Sequence, residues 1–83
     1  MPKILIYSKD NCAYCRMAKD FFNTRQIPFE EIRVDLNPDK LDEMLKRSNR
    51  RTFPQIFIDD HAIGGYDDLV TLAKSGKLSD FGL

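Results

Sequence analysis

Short apolar strands alternate with amphipathic helices along this chain, and the lengths of the connections restrict how they can assemble. Strand patterns cover residues 3–7, 29–35, 53–58 and 61–63, and helix patterns begin at Cys12, Asn37-Pro38 and Asp67-Asp68. A helix separates the first two strands, which predicts a parallel pair with a right-handed crossover. Only Asp59-Asp60 separates the last two strands, and so short a link predicts an antiparallel hairpin. The order β-α-β-α-β-β-α therefore predicts an α/β fold with a four-stranded mixed sheet and three helices.

Proline and glycine indicate where the helices end. Proline disfavours helical geometry in the residue before it, so the first helix is expected to end at Gln26-Ile27-Pro28. The apolar stripe of the second helix runs to about Ser48, and the third helix is expected to stop at Gly76. Residues 78–83 are expected to form a packed tail.

Size and charge exclude several classes of protein. A length of 83 residues fits one domain, residues 1–83, and 42% hydrophobic with 31% charged residues is ordinary for a globular chain. No apolar run approaches the roughly 20 residues that span a bilayer, and the N-terminal apolar run is too short and too quickly interrupted for a signal peptide, so a cytoplasmic protein is expected. Thirteen basic residues balance thirteen acidic ones, which argues against a nucleic-acid binder.

Cys12-Ala13-Tyr14-Cys15 is a C-x-x-C motif that follows a strand and opens a helix, a context typical of redox motifs. Residues three apart on a helix lie about 5–6 Å apart at Cβ, close enough for a disulfide after small adjustments. A helix N-terminus presents N–H groups and partial positive charge to the first cysteine, and Lys9 and Arg16 lie nearby in sequence. We therefore expect a depressed pKa for Cys12, the nucleophile, whereas Cys15 keeps its proton more easily.

A zinc site and a structural disulfide account less well for the cysteine pair. Structural zinc usually has four Cys or His ligands, and this chain offers at most Cys12, Cys15 and His61, so no metal is expected. A purely structural disulfide that closes so small a loop would add little chain-entropy stabilisation.

Two further segments have both an ordinary and a functional interpretation. In Arg51-Thr52-Phe53-Pro54-Gln55, a proline at the head of a strand indicates an edge, a bulge or a cis bond, and the residues alone favour a strand-initiating trans proline. Gly64-Gly65-Tyr66-Asp67-Asp68 is most simply a loop with an aspartate helix cap, but glycines before a helix also let a ligand approach the N-terminal N–H groups. The basic cluster formed by Lys46, Arg47, Arg50 and Arg51 is typical of a solvated helix end.

With these segments in this order, the chain resembles dithiol glutaredoxins, in particular the small bacterial ones, over nearly its whole length. Cys12-Ala13-Tyr14-Cys15 resembles the family's C-P-Y-C, Thr52-Phe53-Pro54 its T-V-P, and the segment 64–68 its G-G-x-D-D. The resemblance implies a thioredoxin-like fold, a cis Pro54 opposite the cysteines, and glutathione as cosubstrate. It also implies glutathione contacts by Lys9, Tyr14, Thr52, Phe53, Pro54, Gly65, Tyr66, Asp67 and Asp68.

Three positions depart from the family pattern. Ala13 replaces the usual proline, which is expected to alter the pKa of Cys12 and the redox potential. Phe53 replaces the usual valine, so its backbone role survives while its ring reshapes the groove. In the second helix, where the family often has an arginine or glutamine for the glycine carboxylate, Lys40 is only a weak substitute.

The resulting hypothesis is a monomeric, glutathione-dependent thiol–disulfide oxidoreductase that uses Cys12 and Cys15. Its expected substrates are protein disulfides and glutathionylated proteins, with ribonucleotide reductase among the candidates. Two alternatives stay open: a thioredoxin-like electron donor reduced by a flavoprotein reductase, and a dimer that binds a [2Fe–2S] cluster through Cys12 and glutathione.

Overall fold

The computed structural model describes residues 2–83. The strands are β1 (Ile4–Ser8), β2 (Glu30–Arg33), β3 (Gln55–Ile58) and β4 (His61–Gly64), and the helices are α1 (Ala13–Thr24), α2 (Pro38–Ser48), α3 (Tyr66–Lys74) and a C-terminal 3₁₀ helix (Lys77–Phe81). The predicted order of strands and helices is confirmed, and the tail forms the 3₁₀ helix. Within these residues, no helix combines the length and apolar character needed to cross a membrane.

The four strands form one mixed sheet in the order β2-β1-β3-β4. β1 and β2 are parallel, whereas the pairs β1–β3 and β3–β4 are antiparallel. The central strand β1 is buried along its whole length, as its continuous apolar sequence predicts. The C-x-x-C segment follows β1, so it lies at the carboxyl end of this central strand, beside the start of β3.

Helices cover both faces of the sheet because successive strand residues point to opposite sides. Ile4 and Ile6 of β1 pack on one face with Ala18 and Phe22 of α1 and with Leu69 of α3. On the other face, a second core cluster contains Leu5, Tyr7, Val34, Met44 and Phe57, with Met44 contributed by α2. This three-layer arrangement fixes the N-termini of α1 and α3 relative to the sheet.

A buried polar group ties α2 to the sheet. The hydroxyl of Tyr7 donates a hydrogen bond to Glu43 and accepts one from Arg47 Nη1 at 2.8 Å. Lys40 Nζ lies 3.2 Å from Glu43 Oε1. Lys40, the weak substitute for the family's contact with the glycine carboxylate, therefore has an acidic partner in α2.

The strand ends differ from the sequence prediction by one or two residues, and the largest differences are at β3 and β2. β3 begins at Gln55 rather than at residue 53, because Pro54 has no N–H to donate to the sheet. β2 spans only Glu30–Arg33, although Val34 N–H still donates to Ser8 C=O at 3.0 Å.

Candidate active site

Cys12 and Cys15 lie at the N-terminus of α1. Cys12 is the N-cap residue with extended backbone geometry, and its Sγ accepts a hydrogen bond from the Cys15 N–H at 3.1 Å. The two cysteines form a disulfide with their Cα atoms 5.2 Å apart. Cys12 is half-buried, whereas Cys15 is only 2% exposed. Helix geometry thus gives Cys12 both access to solvent and an N–H donor that favours a thiolate.

The segment before β3 lies beside the cysteines. The Phe53–Pro54 peptide bond is cis, as the resemblance implied, and the preference for trans that the residues alone suggested is wrong. The cis and trans forms of a peptide bond before proline differ in free energy by only about 0.5–1 kcal/mol. Packing rather than local sequence therefore decides the isomer. The buried Gln55 side chain holds this segment by donating to Thr52 C=O at 2.8 Å and to Thr52 Oγ1 at 2.9 Å.

The backbone of Phe53 offers a free edge. The pairing of β3 with β1 ends at Tyr7 opposite Gln55, two residues after Phe53. Within residues 2–83, neither the N–H nor the C=O of Phe53 forms a backbone hydrogen bond. A short extended peptide can therefore pair with this position as an added strand.

A groove of about 320 Å³ runs from the C-x-x-C turn to the N-terminus of α3. The rings of Tyr14 and Tyr66 face each other across it with their centroids 6.3 Å apart. Its lining residues are Tyr14, Arg50, Thr52, Phe53, Gly65, Tyr66, Asp67 and Asp68. Seven of the nine predicted glutathione contacts therefore line one groove. The other two are Lys9, which is exposed, and Pro54, which is buried.

Lys9 is not among the residues that line this groove. It shares a small polar cavity of about 110 Å³ with Cys12, Cys15 and Arg16. Its Nζ lies 5.3 Å from the centroid of the Phe53 ring. Phe53 therefore lines the groove and also contacts the Lys9 ammonium group.

The two aspartates of α3 are in different environments. Asp68 Oδ2 accepts hydrogen bonds from the Gly65 N–H and from Arg50 Nη1, both at 2.9 Å, whereas the Asp67 carboxylate is exposed. The Gly65 N–H and the Arg50 guanidinium lower the pKa of Asp68. Asp68 thus caps α3 and holds Arg50, which leaves Asp67 as the more available carboxylate in the groove.

Sequence reasoning missed two groups near the site. It placed Arg50 only in a basic cluster, because nothing in its spacing indicates the pairing with Asp68. Glu31 of β2 lines the cavity beside the cysteines and accepts hydrogen bonds from Ser8 Oγ at 2.6 Å and Lys19 Nζ at 2.9 Å. Burial raises the pKa of Glu31, but these two hydrogen bonds and the positive charges of Lys19 and Arg33 together outweigh it and leave the pKa lowered.

The lowered pKa of Asp68 predicts a pH-dependent contribution to stability. A depressed carboxyl pKa stabilises the fold above the unfolded value of about 3.9, and the contribution is lost as the pH falls through the lower folded pKa. We expect wild type to unfold at higher denaturant concentration than Asp68→Asn at pH 7. This difference in denaturant midpoint between the two proteins should disappear as the pH falls below about 4. Urea titrations from pH 2 to pH 7 measure it, and a gap that stays constant over this range would contradict the role of the Asp68 charge.

Within residues 2–83, no three His, Cys, Asp or Glu side chains are placed to hold a metal ion. His61 lies on β4 with its ring centroid 5.6 Å from that of Phe81, so its contact is with the C-terminal 3₁₀ helix.

The fold and this site define a class. A thioredoxin-like fold that presents a C-x-x-C at a helix N-terminus, beside a cis proline, is that of a thiol–disulfide oxidoreductase.

Comparison with known proteins identifies the family within this class. The profile of the Glutaredoxin family matches residues 4–63. Glutaredoxin 3 of Escherichia coli (strain K12) is 46% identical over 78 residues, covering 94% of each chain. The glutaredoxin of Pseudomonas aeruginosa is 37% identical over 78 residues, covering 94% of this chain and 93% of its own. The chain belongs to the glutaredoxin family.

Solved structures agree with this assignment. The solution structure of glutaredoxin from Brucella melitensis has a TM-score of 0.81 at 41% identity, covering 96% of this chain and 87% of that one. The crystal structure of a buckwheat glutaredoxin–glutathione complex has a TM-score of 0.86 at 28% identity, covering 96% of this chain and 76% of that one.

Proposed function

We propose that residues 1–83 form a single glutaredoxin domain that acts as a monomer in the cytoplasm and uses glutathione to reduce protein disulfides and glutathionylated proteins. The observation that carries this proposal is the groove that the C-x-x-C turn shares with Phe53 and the N-terminus of α3. Tyr14 of that turn, Phe53 with its unpaired backbone, and the exposed Asp67 all line it. The buckwheat glutaredoxin–glutathione complex supports glutathione as the ligand.

The chemistry of glutathione matches these features in order. Its cysteinyl residue pairs with the Phe53 backbone and brings its sulfur to Cys12. Its γ-glutamyl carboxylate accepts hydrogen bonds from N–H groups at the start of α3, in the segment 65–67, and its ammonium group meets Asp67. Its glycine carboxylate lies next to Lys9, which supplies positive charge beside Phe53. Tyr14 and Thr52 form the wall of the groove between the two ends.

Catalysis consists of two thiol–disulfide exchanges. The Cys12 thiolate attacks the glutathione sulfur of a mixed disulfide, and the substrate leaves as a thiolate that takes up a proton. Cys12 is then disulfide-bonded to glutathione. A second glutathione thiolate attacks the bound glutathione sulfur, which releases glutathione disulfide and the Cys12 thiolate.

Protein disulfides use Cys15 in addition. Cys12 attacks one substrate sulfur, and the Cys15 thiol loses its proton and attacks Cys12 Sγ. The substrate leaves as a dithiol, and the Cys12–Cys15 disulfide remains. Two glutathione molecules reduce that disulfide, one through a mixed disulfide and one by releasing it as glutathione disulfide. The buried position of Cys15 suits this role, because external disulfides cannot reach it directly.

A comparison of reductants tests the proposal. We expect the reduced protein to turn over a glutathione mixed disulfide when NADPH, glutathione reductase and glutathione are supplied. No turnover is expected when glutathione is omitted or when NADPH and thioredoxin reductase replace the glutathione system. The readout is the rate of NADPH consumption, followed by its absorbance. Efficient turnover with thioredoxin reductase and none with glutathione would replace the proposal by the thioredoxin-like electron donor.

A further inference from the structure

The Phe53 side chain lines the groove and contacts Lys9, which lines the second cavity of the site. It packs against the second core cluster, which contains Leu5, Tyr7 and Met44, and this contact restricts the movement of its ring. The same residue lines the groove that ends at α3, whereas Lys9, over its ring, lines the cavity that contains Cys12. A side chain held in this way is a rigid support rather than a mobile part of the surface.

The Lys9 side chain, in contrast, is exposed and has four rotatable bonds. Its contact with the Phe53 ring is a cation–π interaction, with Nζ 5.3 Å from the ring centroid. This contact holds the ammonium group over the Phe53 ring, and Lys9 and Cys12 line the same cavity. Less side-chain freedom then remains to be lost when an anionic ligand binds.

We propose that Phe53 is a positioning residue whose ring holds the Lys9 ammonium beside Cys12, and that this gives the chain a preference for reactants that carry a carboxylate close to the reacting centre. The glutathione part of this proposal rests on the function proposed above. The preference itself belongs to the surface around Cys12 and is measurable without glutathione. A cation–π contact at an exposed site corresponds to a two- to fivefold effect, approximately, on the affinity or rate for such a reactant.

Two substitutions separate the aromatic face from the bulk of the side chain. Phe53→Leu keeps an apolar side chain on the core cluster but removes the ring. Phe53→Tyr keeps the ring face and is the matched control. Lys9→Gln removes the charge from an exposed position and leaves the fold intact whatever happens at position 53.

Alkylation of Cys12 tests the positioning without glutathione. Iodoacetate and iodoacetamide react with the same thiolate by displacing iodide, so the ratio of their rates cancels the pKa of Cys12 and reports the local charge. We expect Phe53→Leu and Lys9→Gln each to lower the iodoacetate-to-iodoacetamide ratio about two- to fivefold. Phe53→Tyr should retain the wild-type ratio, and the double variant should be no lower than Lys9→Gln alone.

Arg16 provides a second control, since it is an exposed cation that lines the same cavity. Arg16→Gln should lower the ratio by the same factor in the wild-type and Phe53→Leu backgrounds, because its charge does not depend on the ring. An unchanged ratio in Phe53→Leu would overturn the proposal. An equal loss in Phe53→Tyr, or factors for Phe53→Leu and Lys9→Gln that multiply in the double variant, would also overturn it.

The enzymatic readout uses the mixed disulfide of glutathione with 2-mercaptoethanol and the same compound with its glycine carboxylate amidated. Phe53→Leu should raise the ratio of KM for the acid to KM for the amide about two- to fivefold, because only the acid carries the carboxylate that Lys9 meets. Equal losses on both compounds would mean that the ring only shapes the groove, and would overturn the proposal. If wild type turns over neither compound while the alkylation ratios behave as expected, the glutathione function fails and the positioning role stands.

Discussion

Replacement of Cys12 by serine is expected to reduce turnover of both glutathione mixed disulfides and protein disulfides to the uncatalysed rate. Serine keeps the N-cap position of α1, because its oxygen can also accept the Cys15 N–H that Cys12 Sγ accepts at 3.1 Å. Its hydroxyl is not ionised near neutral pH and forms no disulfide. The loss therefore reports chemistry rather than misfolding.

Cys15→Ser is the matched variant, and we expect it to lose only one of the two activities. Deglutathionylation needs only one thiolate, so this variant should keep its activity on a glutathione mixed disulfide. Reduction of a protein disulfide should be lost, because no second thiol is present to release the substrate from Cys12. The nearly complete burial of Cys15 supports this division, since only Cys12 is accessible to an external disulfide.

The assay couples glutathione, glutathione reductase and NADPH to each of the two substrates for wild type and both variants. Mass spectrometry of Cys15→Ser after exposure to glutathione disulfide should find one glutathione on the protein, and Cys12→Ser should carry none. An inactive Cys15→Ser on the mixed disulfide, or an active Cys12→Ser, would show that the two roles are assigned incorrectly.

Gly64→Ala is expected to lower the free energy of unfolding by about 2–4 kcal/mol, through backbone strain and a damaged helix cap. Gly64 has φ +113°, a region that residues with a Cβ rarely adopt. An added Cβ would lie 2.3 Å from Asp68 Oδ2 and 2.7 Å from Arg50 Nη1. The Asp68 carboxylate must then move away from the Gly65 N–H, which removes the cap of α3.

Gly76→Ala is the matched control. Gly76 also has a positive φ, +75°, but nothing lies within 4 Å of its added Cβ, so only the backbone term of about 1–2 kcal/mol is expected. Urea or thermal unfolding of wild type and both variants measures the difference. Gly64→Ala should also raise KM for glutathione, because its clash disturbs the end of the groove. Equal destabilisation by the two substitutions would contradict the role assigned to the Asp68–Arg50 contact.

The features that the sequence predicted correctly are those that depend on neighbouring residues. Apolar runs of strand length, the two-residue link at Asp59-Asp60 and the helical spacing after Cys12 each follow from local backbone chemistry. They were sufficient for the mixed sheet and for the position of the cysteines at a helix start. The family resemblance added the cis bond before Pro54, for which local chemistry alone favours trans.

Contacts between residues distant in the chain were decided only by the tertiary structure. Arg50 meets Asp68 because β3 and β4 return the chain beside the end of α2, and Lys9 meets Phe53 because β1 and β3 are neighbours in the sheet. No residue pattern indicates either contact, since each partner has many equivalent charged or aromatic alternatives along the chain. The sequence by itself determined the cysteine motif and the elements that carry it. The packing of those elements decided which carboxylate stays available in the groove and where the lysine charge is held.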